Sequence, residues 1–248
     1  MTDVAGGVAA LVGATGGAGT TRLTVELGAM LANDGRDVAV VDAAFATQGL
    51  ADYLDGRIDP DLTALLTDDR DAPLDAALVE FPLDTETGRL ACCPVAAPFE
   101  RLARAKSADA ARIFESRIDE AATAFDHVLV DTPPVAANQS VAAVNAADRT
   151  VVVAPASTRG RDAVQRMQAR LDDIGAGVDA VVATRGDLSV ADAVLPETTA
   201  AVTAAPTCLE ERSVAAAVAD IASVVFDVDP SSADGHGLLD SVGDFVSR

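Results

Sequence analysis

The nine residues Gly13-Ala14-Thr15-Gly16-Gly17-Ala18-Gly19-Thr20-Thr21 stand between an apolar run, Val8–Val12, and a stretch with Leu23, Leu27 and Met30 at helical spacing. In such a connection glycines let the backbone approach an anion, and the N–H groups of the loop and first helical turn face it. Four glycines in the seven residues Gly13–Gly19 exceed the need of a plain turn. The chemistry this pattern supports is phosphate binding. Gly13, Gly16 and Gly19 also have the spacing of a dinucleotide fingerprint, with Asp42 closing the next apolar run where a ribose-binding acid would sit. The loop by itself leaves both readings open. A second acid, Asp131, closes the run His127–Val130. No Ser-His-Asp or Cys-His arrangement can be assembled, and His127 and His236 are isolated, without a third ligand at metal spacing.

These groups need elements to hold them. Short apolar, β-branched runs alternate with Ala-rich stretches of helical period, the pattern of a mostly parallel, twisted α/β sheet with helices on both faces. Predicted strands are Val8–Val12, Asp37–Val41, Arg89–Cys93, His127–Val130, Thr150–Ala154 and Val178–Ala183, and predicted helices are Thr21–Asn33, Ala108–Ala124, Gly160–Ile174 and Arg212–Val225. The strands are nearly all apolar, as strands covered on both faces are. Without a repeat or an internal linker, one domain is expected over residues 1–227. Residues 228–248 then form a Pro/Ser/Gly/Asp linker and a short amphipathic tail, in which Leu238, Leu239, Val242, Phe245 and Val246 recur at helical spacing.

Composition narrows the function classes. Of 248 residues, 18 are Lys or Arg and 39 are Asp or Glu, a formal charge of −21, and Lys106 is the only lysine. Such self-repulsion is screened at molar salt, where the Debye length is about 3 Å, so a cytoplasmic protein of a salt-accumulating halophile is expected. A nucleic-acid groove needs clustered Lys and Arg, so no nucleic-acid partner is expected. Cys92, Cys93 and Cys208 match neither a disulfide framework nor a metal spacing and read as buried thiols. The start Met-Thr-Asp has no basic n-region, and no apolar run approaches the ~18 residues of a membrane span.

Over nearly its whole length the chain resembles the MinD/ParA family of P-loop ATPases. Where the family has Lys-Gly-Gly-x-Gly-Lys-Thr-Thr, the chain has Thr15-Gly16-Gly17-Ala18-Gly19-Thr20-Thr21-Arg22 in register. Val40-Val41-Asp42-Ala43-Ala44 stands at the family's Asp-x-Asp strand, and Phe125–Pro134, with Asp131-Thr132-Pro133, at its second acidic strand and switch. Ala147–Val153 follows as in the family, Thr184-Arg185 occupies the usual Asn-Arg position, and Leu195-Pro196-Glu197 resembles its Ile-Pro-Glu. The alternative, a short-chain dehydrogenase relative binding NAD(P), lacks its usual chemistry, because a Tyr and a Lys four residues apart cannot be formed from Tyr53 and Lys106.

The resemblance implies a nucleotide set of Gly16, Gly17, Ala18, Gly19, Thr20, Thr21, Arg22, Thr184 and Arg185, with Thr21, Asp42 and Asp131 beside Mg²⁺ if ATP binds. It also marks what has gone. Both loop lysines are threonines, Thr15 and Thr20, and the second Asp, which in the family positions the attacking water, is Ala44. Phosphoryl transfer rests on positioning and charge stabilisation, so the expected protein binds nucleotide weakly, hydrolyses little, and works through a protein partner or paralogue, or as a homodimer, in positioning division, partitioning or surface machinery. An active ATPase using Arg22 or Lys106 as substitute cation is the second reading. The tail resembles the membrane-targeting helix that ends many proteins of the family, but its Asp240 and Asp244 against Arg248 imply weak peripheral membrane association.

Overall fold

The computed structural model describes residues 6–84, 87–201 and 204–230. The expected linker beyond Pro230, His236 and the tail Leu238–Arg248 lie outside them. In chain order the elements are β1 (Gly7–Gly13), α1 (Thr20–Asn33), β2 (Asp37–Asp42), α2 (Leu62–Thr67), β3 (Val79–Glu80), β4 (Arg89–Cys93), α3 (Phe99–Ala105), α4 (Ala108–Ala124), β5 (His127–Thr132), α5 (Asn138–Asn145), β6 (Arg149–Pro155), α6 (Thr158–Asp173), β7 (Ala180–Thr184), β8 (Ala193–Leu195) and α7 (Arg212–Phe226). Every predicted strand and helix is present, with ends moved by a residue or two. The added elements are short: a two-residue strand, a three-residue strand and helices of six to eight residues.

The strands form one sheet in the order β3-β4-β2-β5-β1-β6-β7-β8, parallel throughout except the β3–β4 pair. Alternation along each strand divides the core. Ala9 and Leu11 of β1 face the cluster built with α1 and α7, while Val8, Ala10 and Val12 face the side covered by α4, α5 and α6. Both faces are therefore dry, which is why period-2 polarity is missing from the strands.

The position of β1 decides between the two readings of the glycine loop. A dinucleotide fold pairs the first strand with the second. Here β1 lies between β5 and β6, and β2 lies beyond β5, so the dinucleotide reading is not favoured. The same order sets Asp42 and Asp131 side by side in register at the carboxyl ends of β2 and β5.

Candidate functional site

The loop after β1 leaves the sheet at its carboxyl edge, where the Ala14 N–H donates to the Val153 carbonyl at 2.8 Å. Gly17 and Gly19 have φ of 70° and 89°, a conformation that L side chains rarely adopt. Gly19 caps α1 without a side chain, and no acid occupies the helix's first turn. The first-turn N–H groups and the positive end of the helix dipole are thus left for an anion. A Cβ on Gly13 would come within 2.9 Å of the Thr20 hydroxyl, so the threonine at the lysine position folds back over the start of the loop. From the far side β7 holds the loop: Thr184 Oγ1 donates to the Ala18 carbonyl at 2.7 Å and Arg185 Nη2 to the Gly17 carbonyl at 2.9 Å.

Below the loop, Thr21 Oγ1 donates to Asp131 Oδ2 at 2.6 Å. This hydroxyl and carboxylate are the protein's available donors for a divalent cation bound with phosphate. Asp42 is fully buried, and its carboxylate accepts the N–H groups of Ala44 at 2.8 Å and Val95 at 3.2 Å. It fastens the turn after β2 and forms no part of the cleft wall. Burial pushes both carboxyls up, the charge of Asp131 raises Asp42 further, and the Thr21 hydrogen bond opposes the rise at Asp131.

Loop, switch and β7 enclose a cleft of about 480 Å³, within the range of small-molecule sites. Gly16, Gly17, Ala18, Gly19, Thr20, Thr21, Arg22, Asp131, Thr184 and Arg185 all line it. Arg22 does so with its guanidinium engaged: Nε donates to Glu26 at 2.6 Å, Nη2 to Thr207 Oγ1 at 3.0 Å and Nη1 to the Ala201 carbonyl at 3.4 Å. Lys106 is not in the wall. It follows α3, whose Arg101 and Arg104 pair with Asp61 and Asp68. Sequence reasoning missed Tyr53, which lines the cleft from the turn Gly49–Tyr53 and whose hydroxyl burial pushes up to about 12. Its being the chain's single tyrosine was the one available signal.

The remaining candidates are structural. Cys92, Cys93 and Cys208 are free, buried thiols, raised by burial. His127 is buried against Phe226, ring centroids 4.5 Å apart. Among the described residues no group of three His, Cys, Asp or Glu could hold a metal, and no helix is long and apolar enough to cross a membrane.

Comparison with known proteins agrees with this geometry. No curated protein sequence matches the chain. Solved structures under 25% identical match in fold. The cell division ATPase MinD of Pyrococcus furiosus is 20% identical, with a TM-score of 0.70 over 89% of this chain and 98% of that one. MinD in the MinC:MinD cell division complex of Aquifex aeolicus is 21% identical, with a TM-score of 0.73 over 90% and 96%. Cobyrinic acid a,c-diamide synthase of Mycobacterium smegmatis, solved with ADP and magnesium, is 21% identical, with a TM-score of 0.64 over 90% and 97%. The AAA domain family matches residues 7–182, from the first residue of β1 to the middle of β7, and with a glycine loop, paired strand-end acids and a first strand held between β5 and β6, the chain belongs to the MinD/ParA family of P-loop ATPases.

Proposed function

We propose that this chain is a family member that has lost ATP hydrolysis and acts by binding other proteins in the spatial organisation of cell machinery. One observation carries the reading: no lysine lines the cleft, and the positions of the two family lysines hold Thr15 and Thr20. Of the two arginines in the wall, Arg22 is paired with the Glu26 carboxylate, while Arg185 donates one Nη2 hydrogen bond to the Gly17 carbonyl. At the position of the water-orienting acid stands Ala44. A missing transition-state donor or cation costs orders of magnitude in rate. Polyphosphate binding is a lesser demand, which the loop N–H groups, Thr21 and Asp131 fit; the Mycobacterium smegmatis synthase, similar in fold, was solved with ADP and magnesium. The role in positioning is supported by the likeness to MinD, which in Aquifex aeolicus is found in complex with MinC.

The test is calorimetry with ATP and ADP in KCl and Mg²⁺, together with phosphate release. Expected are weak binding, no turnover above an Asp131→Ala control, and tighter binding without turnover in Thr20→Lys. Wild-type turnover abolished by Arg22→Ala would establish the substitute-cation reading instead.

A further inference from the structure

The side chain that Gly13 lacks leaves a space beside the glycine loop that is bounded by oxygen. A Cβ there would lie 2.9 Å from Thr20 Oγ1 and 3.3 Å from the Thr15 carbonyl oxygen, with Ala18 Cβ next at 3.8 Å. Gly13, Thr15 and Thr20 all line the cleft, so this space opens onto the phosphate site. Neither oxygen is saturated. Among the described residues the Thr15 carbonyl accepts only the Ala18 N–H, at 3.3 Å, and Thr20 Oγ1 has no hydrogen-bond partner, since the bond from Thr24 Oγ1 goes to the Thr20 carbonyl. A carbonyl and a hydroxyl oxygen each carry two lone pairs. No ammonium reaches the space: Lys106, the only lysine, stands outside the cleft, Arg22 is paired with Glu26, and Arg185 meets the loop from β7 at Gly17. Thr21 and Asp131 supply the carboxylate through which a divalent ion is bound. Two uncharged oxygens beside a polyphosphate make a different kind of site.

We propose that the cleft takes a monovalent cation, K⁺, in place of the missing lysine ammonium, held by Thr20 Oγ1, the Thr15 carbonyl oxygen and the phosphate oxygens of the bound ligand. Uncharged oxygens of this kind replace the hydration shell of an alkali ion. A hydroxyl with a cation on it reaches outward from the backbone much as a lysine side chain does, so Thr20 puts positive charge where the family carries it covalently. Supply is assured by the chain itself, because a net charge of −21 gathers counter-ions at its surface and clefts concentrate them. Cation and polyphosphate are thereby linked, each raising the affinity of the other by the same factor. The proposal rests on the reading that the loop binds a polyphosphate and names the charge that completes that site.

The experiment is calorimetric titration of the full chain with Mg-ATP, in KCl and in tetramethylammonium chloride of equal concentration, where circular dichroism shows the chain folded in both. Screening is then matched, and only the ability of the cation to accept oxygen ligands differs. Three forms are compared: wild type, Thr20→Val, which keeps the shape and removes the oxygen, and Thr20→Lys, which brings its own ammonium. Expected is binding by wild type about tenfold or more tighter in KCl, binding by Thr20→Val that is equally weak in the two salts, and binding by Thr20→Lys that is equally tight in them. A K⁺ preference that survives in folded Thr20→Val would overturn the proposal. So would salt-independent binding by wild type that is lost in Arg185→Gln, since the arginine would then be the cation. Equal binding by wild type in both salts removes the cation site alone and leaves polyphosphate binding standing, whereas binding in neither salt removes both. Phosphate release from the same samples in KCl refutes the lost ATPase and leaves the cation site in place.

Discussion

Glu26 ties the glycine-loop helix to the segment before α7. Its Oε1 accepts Thr207 N and Oγ1 and Arg22 Nε, and its Oε2 accepts Cys208 N. Burial would raise this carboxyl, but the Thr207 and Cys208 N–H groups and Arg22 hold it below its ordinary value. Glu26→Gln should lose about 2–4 kcal/mol in urea melts at neutral pH. Because the folded-state pKa is lowered, the carboxylate's contribution is present above about pH 4.5 and fades below it, so the gap between variant and wild type should narrow in acid. His127 titrates oppositely in charge. Among the described residues its ring nitrogens have no hydrogen-bond partner, and burial, aided by Arg36, lowers it to about 4. The fold holds neutral imidazole, so this contribution is complete above pH 6.5 and is lost as pH falls toward 4. His127→Leu should therefore gain on wild type between pH 7.5 and pH 5, by on the order of 2 kcal/mol, in paired urea melts. Much of the site was legible at this scale because glycine loops and strand-end acids are local patterns. The occupation of Arg22 was not, since Thr207 lies 185 residues away, and neither was the turning of Asp42 toward Val95, which depends on a strand neighbour.

Two helical glycines separate packing from propensity. A Cβ on Gly160, in the first turn of α6, would lie 1.9 Å from the Pro155 carbonyl oxygen, a backbone atom that cannot yield. Gly160→Ala should cost about 2 kcal/mol or more, seen as a lowered melting temperature. A Cβ on Gly28, inside α1, would meet Leu90 Cδ1 at 2.8 Å, the tip of a flexible side chain. There alanine's helical advantage of about 1 kcal/mol offsets the rotamer change, and Gly28→Ala should melt within a few degrees of wild type. The long elements were readable because α1, α4, α6 and α7 repeat their apolar positions over 14 to 17 residues. Helices α2, α3 and α5 are too short to show a period and owe their form to tertiary packing, helped in α2 by the Asp61 cap on Ala64 N. Strand β8 has three residues and is defined by pairing with β7 alone.

The charge of −21 acts on the molecule as a whole. Self-repulsion among carboxylates weakens as salt shortens the Debye length from about 10 Å at 0.1 M to about 3 Å at 1 M. The melting temperature should rise steadily with KCl over that range, and a flat response would remove the halophilic reading. Another whole-molecule property follows from the strand order. β1 is made first, yet both its neighbours come from residues 127–155. At ribosomal rates of ~5–20 residues per second, its apolar edges wait on the order of ten seconds for their partners. During synthesis Gly7–Gly13 therefore has neither of its sheet partners until the second half of the chain emerges, and a chain cut before residue 127 should be markedly more prone to aggregate than the full chain in a pelleting assay.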